Sequence, residues 1–422
     1  MFMRAATFFR RGGRPFPAPR VAARAWTLLS LTLSASSPLS ASTWPVPAGA
    51  PTIQAGIDAA AAGDTVLVAP GTYTGAGNYN INFRGKNIVV RSSAGAAATV
   101  VDVQASHQTP RRGFFIGTQE GPLAVLDGFT IINGYMDLIT VAPGGGSPAG
   151  AGVRAGAGGR PTAGTGRLPG LAHDLSGGGI KCQDSQPTLR NLIIRNCGSA
   201  YTGGGLDIEL LAEPNVSNCI IEGCYAGFEG GGVTIETISN PTLTNCVITG
   251  NRAARGGGVG CNAGGTLRDC VIAGNTVADP TGTQGALYGG GIAVLYPGAL
   301  LLERTIVAGN CAPDGAGEVF ADNLARVDFA CSVLDPANIA TFGTGVVNAP
   351  RGSNVFERPL FCYPLACASA PIAGGDYHLQ AGSPGLAATS PCGLLIGGLG
   401  LGCPAQSQVQ PVTWSRLKSV FR

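Results

Sequence analysis

Between residues 177 and 310 the chain repeats one alternation of apolar and polar positions. Glycine triplets start at 177, 203, 230, 256 and 289, and after each one every second residue is apolar. The pairs are Ile180 and Cys182, Leu206 and Ile208, Val233 and Ile235, Val259 and Cys261, and Ile292 and Val294. A period of two predicts a short strand with one buried face. A second phrase follows each triplet: LRNLII, VSNCII, LTNCVI, LRDCVI and LERTIV. Within it Leu243 is apolar and then Cys246 and Ile248 are, so the phase slips by one residue. A continuous strand cannot absorb that slip without turning its buried side chains outward. The slip predicts a bend at Thr244 and Asn245, because Asn tolerates the left-handed backbone such a bend needs.

The spacing is regular. The fourth letters of the second phrase, Leu192, Cys219, Cys246, Cys270 and Thr305, lie 15, 16, 16, 14 and 16 residues beyond their first glycines. The next triplet follows after 11, 11, 10 and 19 residues, the last gap holding an insertion, ADPTGTQGALY. A unit of about 24 to 27 residues with two short strands and bends is a solenoid repeat, its coils stacked as parallel sheets about 4.8 Å apart. The glycines and the period exclude helical repeats, and the pattern of leucine-rich repeats is absent. Leu192 shares the slot of Cys219, Cys246 and Cys270, which makes the slot an apolar interior one where a thiol packs as a small hydrophobe. Asn191, Asn218, Asn245 and Asp269 form the preceding column, expected to be a ladder of side chains along the bend. A second bend is expected at Cys197, Cys224, Asn251, Asn275 and Asn310.

Composition narrows the class. Charged residues are 12% of 422, with 67 Gly and 29 Pro, too Gly-rich for an ordinary helical or α/β enzyme, while 45% apolar content is too high for a disordered chain. Lys occurs only at 86, 181 and 418, so no basic face supports nucleic-acid binding. Arg4, Arg10, Arg11, Arg14, Arg20 and Arg24 precede the apolar run WTLLSLTLSA and the small residues at 40–42, which reads as an export signal over residues 1–42. Its removal would take the net charge from +3 to −3. No other stretch is long and apolar enough to span a bilayer. The 13 Cys suit an oxidising compartment, with Cys362 and Cys367, and Cys392 and Cys403, read as local disulfide pairs in the tail. The Gly/Ala/Pro-rich stretch at about 141–176 reads as an inserted loop, and residues 404–422 as a separate tail.

TIQAGIDAAAAGDTVLVAPGTYTG (52–75) resembles the opening of secreted right-handed parallel β-helix proteins, with a capping helix, a first strand and a Gly-Thr-Tyr bend. VLDGFTIINGY (125–135) is similar to their early coils, and the triplets and [IV]xGN phrases resemble bacterial surface and autotransporter-like β-helices of the pectate-lyase-like superfamily. DYHLQAGSPG (376–385) and IGGLGLGC (396–403) resemble a common bacterial ending. The resemblance implies an all-β, single-domain, right-handed parallel β-helix over residues 43–403, of about a dozen coils. The helix would close one end and a Cys-stapled tail the other. It implies a secreted or cell-surface monomer and says little about activity.

No nucleophile elbow, zinc-protease motif or phosphate loop occurs, and His107, His173 and His378 form no ligand spacing. The candidate site is the outward face of the strand after each triplet: Lys181, Asp207, Glu209, Thr234, Glu236 and Asn262. Stacked strands would put Glu209 beside Glu236 at about 5 Å, with Asp207 about 7 Å from Glu209 along its strand. Such carboxylates could do acid–base work on a glycoside or share a Ca²⁺. In β-helix lyases and pectinases this face binds sugar chains, and the resemblance implies an Arg or Lys base, or several Asp, that these columns do not supply. The plainer reading is a solvated polar strand face. The leading expectation is a non-enzymatic protein engaging a polysaccharide or a surface protein, and the alternative is a polysaccharide lyase or glycoside hydrolase using Asp207, Glu209 and Glu236.

Overall fold

A computed structural model of the protein describes residues 41–137, 175–236, 238–278, 287–313 and 315–403. Residues 1–40 of the expected leader, nearly all of the inserted loop, His173 and the 404–422 tail lie outside the described residues. The described residues build a parallel β-helix with three long walls. One is an eleven-stranded sheet running from Thr43–Val46 to Val346–Asn348, here called the long sheet. The second has nine strands, from Gly71–Tyr73 to Val333–Leu334. The third, the triplet sheet, also has nine, from Ile81–Asn82 to Ile339–Thr341, and carries the strands after the glycine triplets. A short five-stranded sheet, Tyr135–Met136 to Thr276–Val277, joins the second wall to the triplets.

The predicted bend lies where the phase slips. Asn191, Asn218, Asn245 and Asp269 have φ of +55°, +54°, +53° and +55°, between strands of the long sheet and the second wall. Their side chains form the expected ladder: Asn245 Nδ2 donates to Asn218 Oδ1 (2.8 Å) and Asn218 Nδ2 to Asn191 Oδ1 (3.3 Å). At the next corner Asn251 Nδ2 donates to Asn275 Oδ1 (3.0 Å) and Asn275 Nδ2 to Asn310 Oδ1 (2.9 Å). Those amides are buried and also bond backbone groups of neighbouring coils, so they meet the requirement that enclosed polar groups find partners.

The alternation after each triplet points Ile180, Cys182, Leu206, Ile208, Val233 and Ile235 inward, all fully buried. Cys219, Cys246 and Cys270 stack in the core as free thiols. Burial pushes the Cys219 and Cys270 thiols well above their ordinary value, so they remain neutral packing groups. The glycine triplets are steric necessities. The first, Gly230, has φ +66°; a Cβ on Gly231 would lie 2.4 Å from the Arg252 carbonyl oxygen, and one on Gly232 2.8 Å from Ile248.

Two expectations about the ends need correction. The helix Ile53–Ala59, capped by Thr52 and anchored by Ile53 and Ile57, is preceded by a strand, Thr43–Val46, which pairs with Thr65–Val68. The Gly-Thr-Tyr segment is itself a strand. At the other end the tail does not form local disulfides. Its cysteines pair as Cys311–Cys367, Cys331–Cys392 and Cys362–Cys403. The reason is that the tail folds back along the side of the solenoid. An antiparallel pair, Phe361–Tyr363 with Asp376–Leu379, lays Phe361, Tyr377 and Leu379, joined by Ile396 from farther along the chain, on Val247, Val271, Ile306 and Val333, the outward residues of the second wall. Ile372 N donates to the Gly250 carbonyl (2.9 Å), and Gly374 N to Glu222 Oε2 (2.6 Å). Two tail cysteines therefore face coils. No helix of the described residues is long and apolar enough to cross a membrane.

Candidate functional site

Parallel register decides which residues of the triplet sheet meet. Lys181 lies opposite Asp207, Asp207 opposite Thr234, Thr234 opposite Gly260, and Gln183 opposite Glu209. One step beyond Ile208 and Ile235, Glu209 and Glu236 occupy neighbouring positions, as the repeat predicts. The face is not solvated, however. Lys181, Asp207, Glu209 and Glu236 are only 1%, 0%, 2% and 5% exposed, Thr234 is buried, and Asn262 alone of the six is half-buried. The expected solvated strand face is therefore an enclosed polar cluster.

Part of the enclosure comes from residues the repeat reading passed over. The residue before each triplet, Ser176, Thr202, Glu229, Arg255 or Tyr288, forms a column of its own, bridged coil to coil from Thr202 through Glu229 and Arg255 to Tyr288. The Ser176 and Thr202 side chains reach the strand that follows them. Ser176 Oγ accepts from Lys181 Nζ (2.7 Å), and Thr202 Oγ1 donates to Asp207 Oδ1 (3.4 Å). The Glu229 chain lies across Gly260, where a Cβ would sit 2.3 Å from Glu229 Cγ. Beside them Tyr201 stacks on Phe228 with centroids 5.3 Å apart, and Tyr288 on Phe320 at 4.3 Å. The sequence signal for this column was its fixed place one residue before each triplet.

The electrostatics follow from enclosure. Lys181 Nζ sits 2.7 Å from Glu209 Oε1 and 3.6 Å from Asp207 Oδ2, so one ammonium serves two carboxylates. Burial pushes the Asp207 carboxyl up to about 6, with Lys181 opposing and Glu209 reinforcing the shift. Burial pushes Glu229 up to about 7, with Arg255 opposing and Asp207 reinforcing. Near neutrality the cluster can therefore hold or release a proton on Glu229. A shared Ca²⁺ does not fit these residues, because the Lys181 ammonium takes the place between Asp207 and Glu209 where such a cation would sit. Among the described residues no group of three His, Cys, Asp or Glu is arranged to hold a metal ion.

Residues 171–311, about a third of the chain, match the family described as right handed beta helix region, in keeping with the parallel β-helix described above. No curated protein matches in sequence. Among solved structures, the chain is similar to a pectate lyase, Pel9A, at 10% identity and a TM-score of 0.41, covering 78% of this chain and 84% of that one. It is also similar to ORF18 of Geobacillus virus E2, at 13% identity, a TM-score of 0.30, and 72% and 56% coverage. A third is the A-module of the mannuronan C-5 epimerase AlgE4 of Azotobacter vinelandii, at 12% identity, a TM-score of 0.22, and 69% and 91% coverage.

Proposed function

We propose that the protein works outside the cell as a non-enzymatic β-helix that binds an extended polysaccharide along its long sheet. The observation that carries this reading is the state of the three walls. The tail covers the later coils of the second and the triplet sheet is enclosed at its acidic cluster, whereas the long sheet presents Thr188, Asn215, Ser217, Thr242, Thr244 and Thr266 at half-buried or exposed positions. Around those residues Arg190 pairs with Asp127 (2.9 Å) and Arg268 with Glu303 (2.6 Å), so hydroxyls and amides prevail over the middle of the face. Eleven strands give it a length of about 48 Å, enough for several sugar units. The three disulfides suit an oxidising compartment. Against the lyase or hydrolase alternative stands the burial of Asp207, Glu209 and Glu236, since a polymer must reach the groups that act on it.

The test is affinity electrophoresis against neutral and acidic polysaccharides with and without Ca²⁺, assayed in parallel for unsaturated products and reducing ends. Retardation without turnover, weakened by the double change Thr242→Glu with Thr266→Glu, is the expected result. Turnover abolished by Glu236→Gln would overturn the reading.

A further inference from the structure

The cavity that the acidic cluster does not use lies in the N-terminal coils, at the corner leaving the second wall. It is a cleft of about 450 Å³, lined among others by Gln104, Ser106, His107, Asn133, Tyr135 and Asn196. Gln104, Asn133 and Asn196 occupy that corner in left-handed conformation, with φ of +53°, +59° and +54°, and Asn133 Nδ2 donates to Asp102 Oδ1 (2.9 Å). In the next two coils the same corner is glycine and is taken by the tail: a Cβ on Gly223 would lie 2.9 Å from Ala373 N, and one on Gly250 2.0 Å from the Ile372 carbonyl oxygen. Further on, Gly309 leaves the corner open but carries no side chain to line it.

The His107 loop is held at both ends. Ala105 N donates to the Asn133 carbonyl (2.9 Å), and Arg111 and Tyr135 exchange two backbone hydrogen bonds of 2.8 Å. The Arg111 guanidinium sits 4.1 Å above the Tyr79 ring, which anchors the loop again. His107 Nδ1 lies 2.7 Å from Asp137 Oδ2, and its ring meets Tyr135 at 4.5 Å between centroids and 59° between planes. An ionised Asp only accepts, so Nδ1 carries the proton and Nε2 is left for a ligand. Burial, reinforced by Asp137 and Tyr225, pushes the Tyr135 hydroxyl up to about 12, so it stays a donor.

We propose that this cleft binds one neutral sugar ring, its apolar face on the angled Tyr135 and His107 rings and its hydroxyls on Gln104, Asn133, Asn196, His107 Nε2 and the Tyr135 hydroxyl. Size and lining match a small-ligand site, in which a few placed polar groups orient the ligand on an aromatic floor. The selection for neutral over acidic sugars follows from the lining: amides offer no counter-charge to a carboxylate, and the nearby Arg111 is held over Tyr79. The proposal goes beyond the long sheet and rests on the glycan reading only for the class of ligand.

Calorimetric titration of the full chain with neutral and uronate oligosaccharides tests it, using Tyr135→Phe, His107→Ala and the long-sheet double variant, with circular dichroism to confirm folding. Tyr135→Phe keeps the ring and removes only the hydroxyl. The expected result is binding of a neutral oligosaccharide that weakens about three- to tenfold in each cleft variant, as for loss of one hydrogen bond. Cleft variants that weaken binding while the long-sheet variant does not would keep this site and remove the long-sheet reading. Neutral binding unchanged in both cleft variants, tighter binding of uronates through the cleft, or no sugar binding at all would overturn the proposal.

Discussion

The long sheet and the second wall are built from the same coils and the same strand geometry, yet their outer faces have opposite character. In coils 242–273 the long sheet points Thr242, Thr244, Thr266 and Arg268 outward, while the second wall points Val247, Val271 and Ala273 outward. The second set is buried because Phe361, Tyr377, Leu379 and Ile396 of the tail lie on it. Moving toward the N-terminus, the column of Ala308 and Ala273 continues as Glu222 and Arg195, where Glu222 both accepts from Gly374 N and pairs with Arg195, while the column of Val247 continues as Ile220, 36% exposed, and Ile193. The charged end of the first column marks where the tail stops. Two outward strand faces with one backbone thus differ only in what later folds onto them, and side-chain polarity follows that cover.

The sharpest way to break this contrast is to place a charge on each wall. Val271→Asp buries an unpaired carboxylate beneath the tail and should cost at least about 3 kcal/mol in urea unfolding, whereas Thr266→Asp on the long sheet should stay within about 0.5 kcal/mol. Equal losses would mean that the tail does not seal the second wall.

A smaller effect separates the enclosed triplet sheet from the open long sheet through pH. Burial raises Glu229, and likewise Glu318, from an ordinary 4.5 to about 7, with Asn310 and the Gly309 backbone opposing the shift at Glu318. Across that window the folded chain holds more protons than the unfolded one, so these groups stabilise fully below about 4.5 and lose their contribution as pH rises through about 7. Each contributes a slope of at most about 1.4 kcal/mol per pH unit. Glu229→Gln should flatten the fall in thermal midpoint between those limits, while Glu303→Gln on the long sheet should leave its shape alone. An unchanged profile in Glu229→Gln would remove that residue from the enclosed cluster.

The smallest contrast is at the bend. Asn245→Gly keeps φ +53° accessible and should cost less than about 1 kcal/mol, whereas Asn245→Val meets the left-handed penalty and should cost about 2 kcal/mol by denaturant midpoint. Equal costs would assign the role of Asn245 to its ladder hydrogen bond with Asn218 rather than to its backbone.

Much of the solenoid was legible before any coordinates. The one-residue phase slip located the Asn245 bend, the shared slot of Leu192 and Cys246 placed that thiol in the core, and triplet spacing brought Glu209 beside Glu236. The column of Ser176, Thr202 and Glu229 was legible too, but it sits outside the strand pattern and so drew no notice. The disulfide partners were not legible. Cys367 and Cys392 join coils 56 and 61 residues away, and local spacing carries no record of such a fold-back.

Periodicity determined the coil, its bends and its interior, because inward and outward alternation is set by the backbone within a few residues. Tertiary contact decided what each outward wall faces. The tail turned the second wall into a second core, Lys181 and the column before the triplets turned a polar strand face into an enclosed ion cluster, and the long sheet stayed open. The physical reason is that outward means only away from the coil axis; solvent exposure depends on segments far away in sequence that fold against the wall.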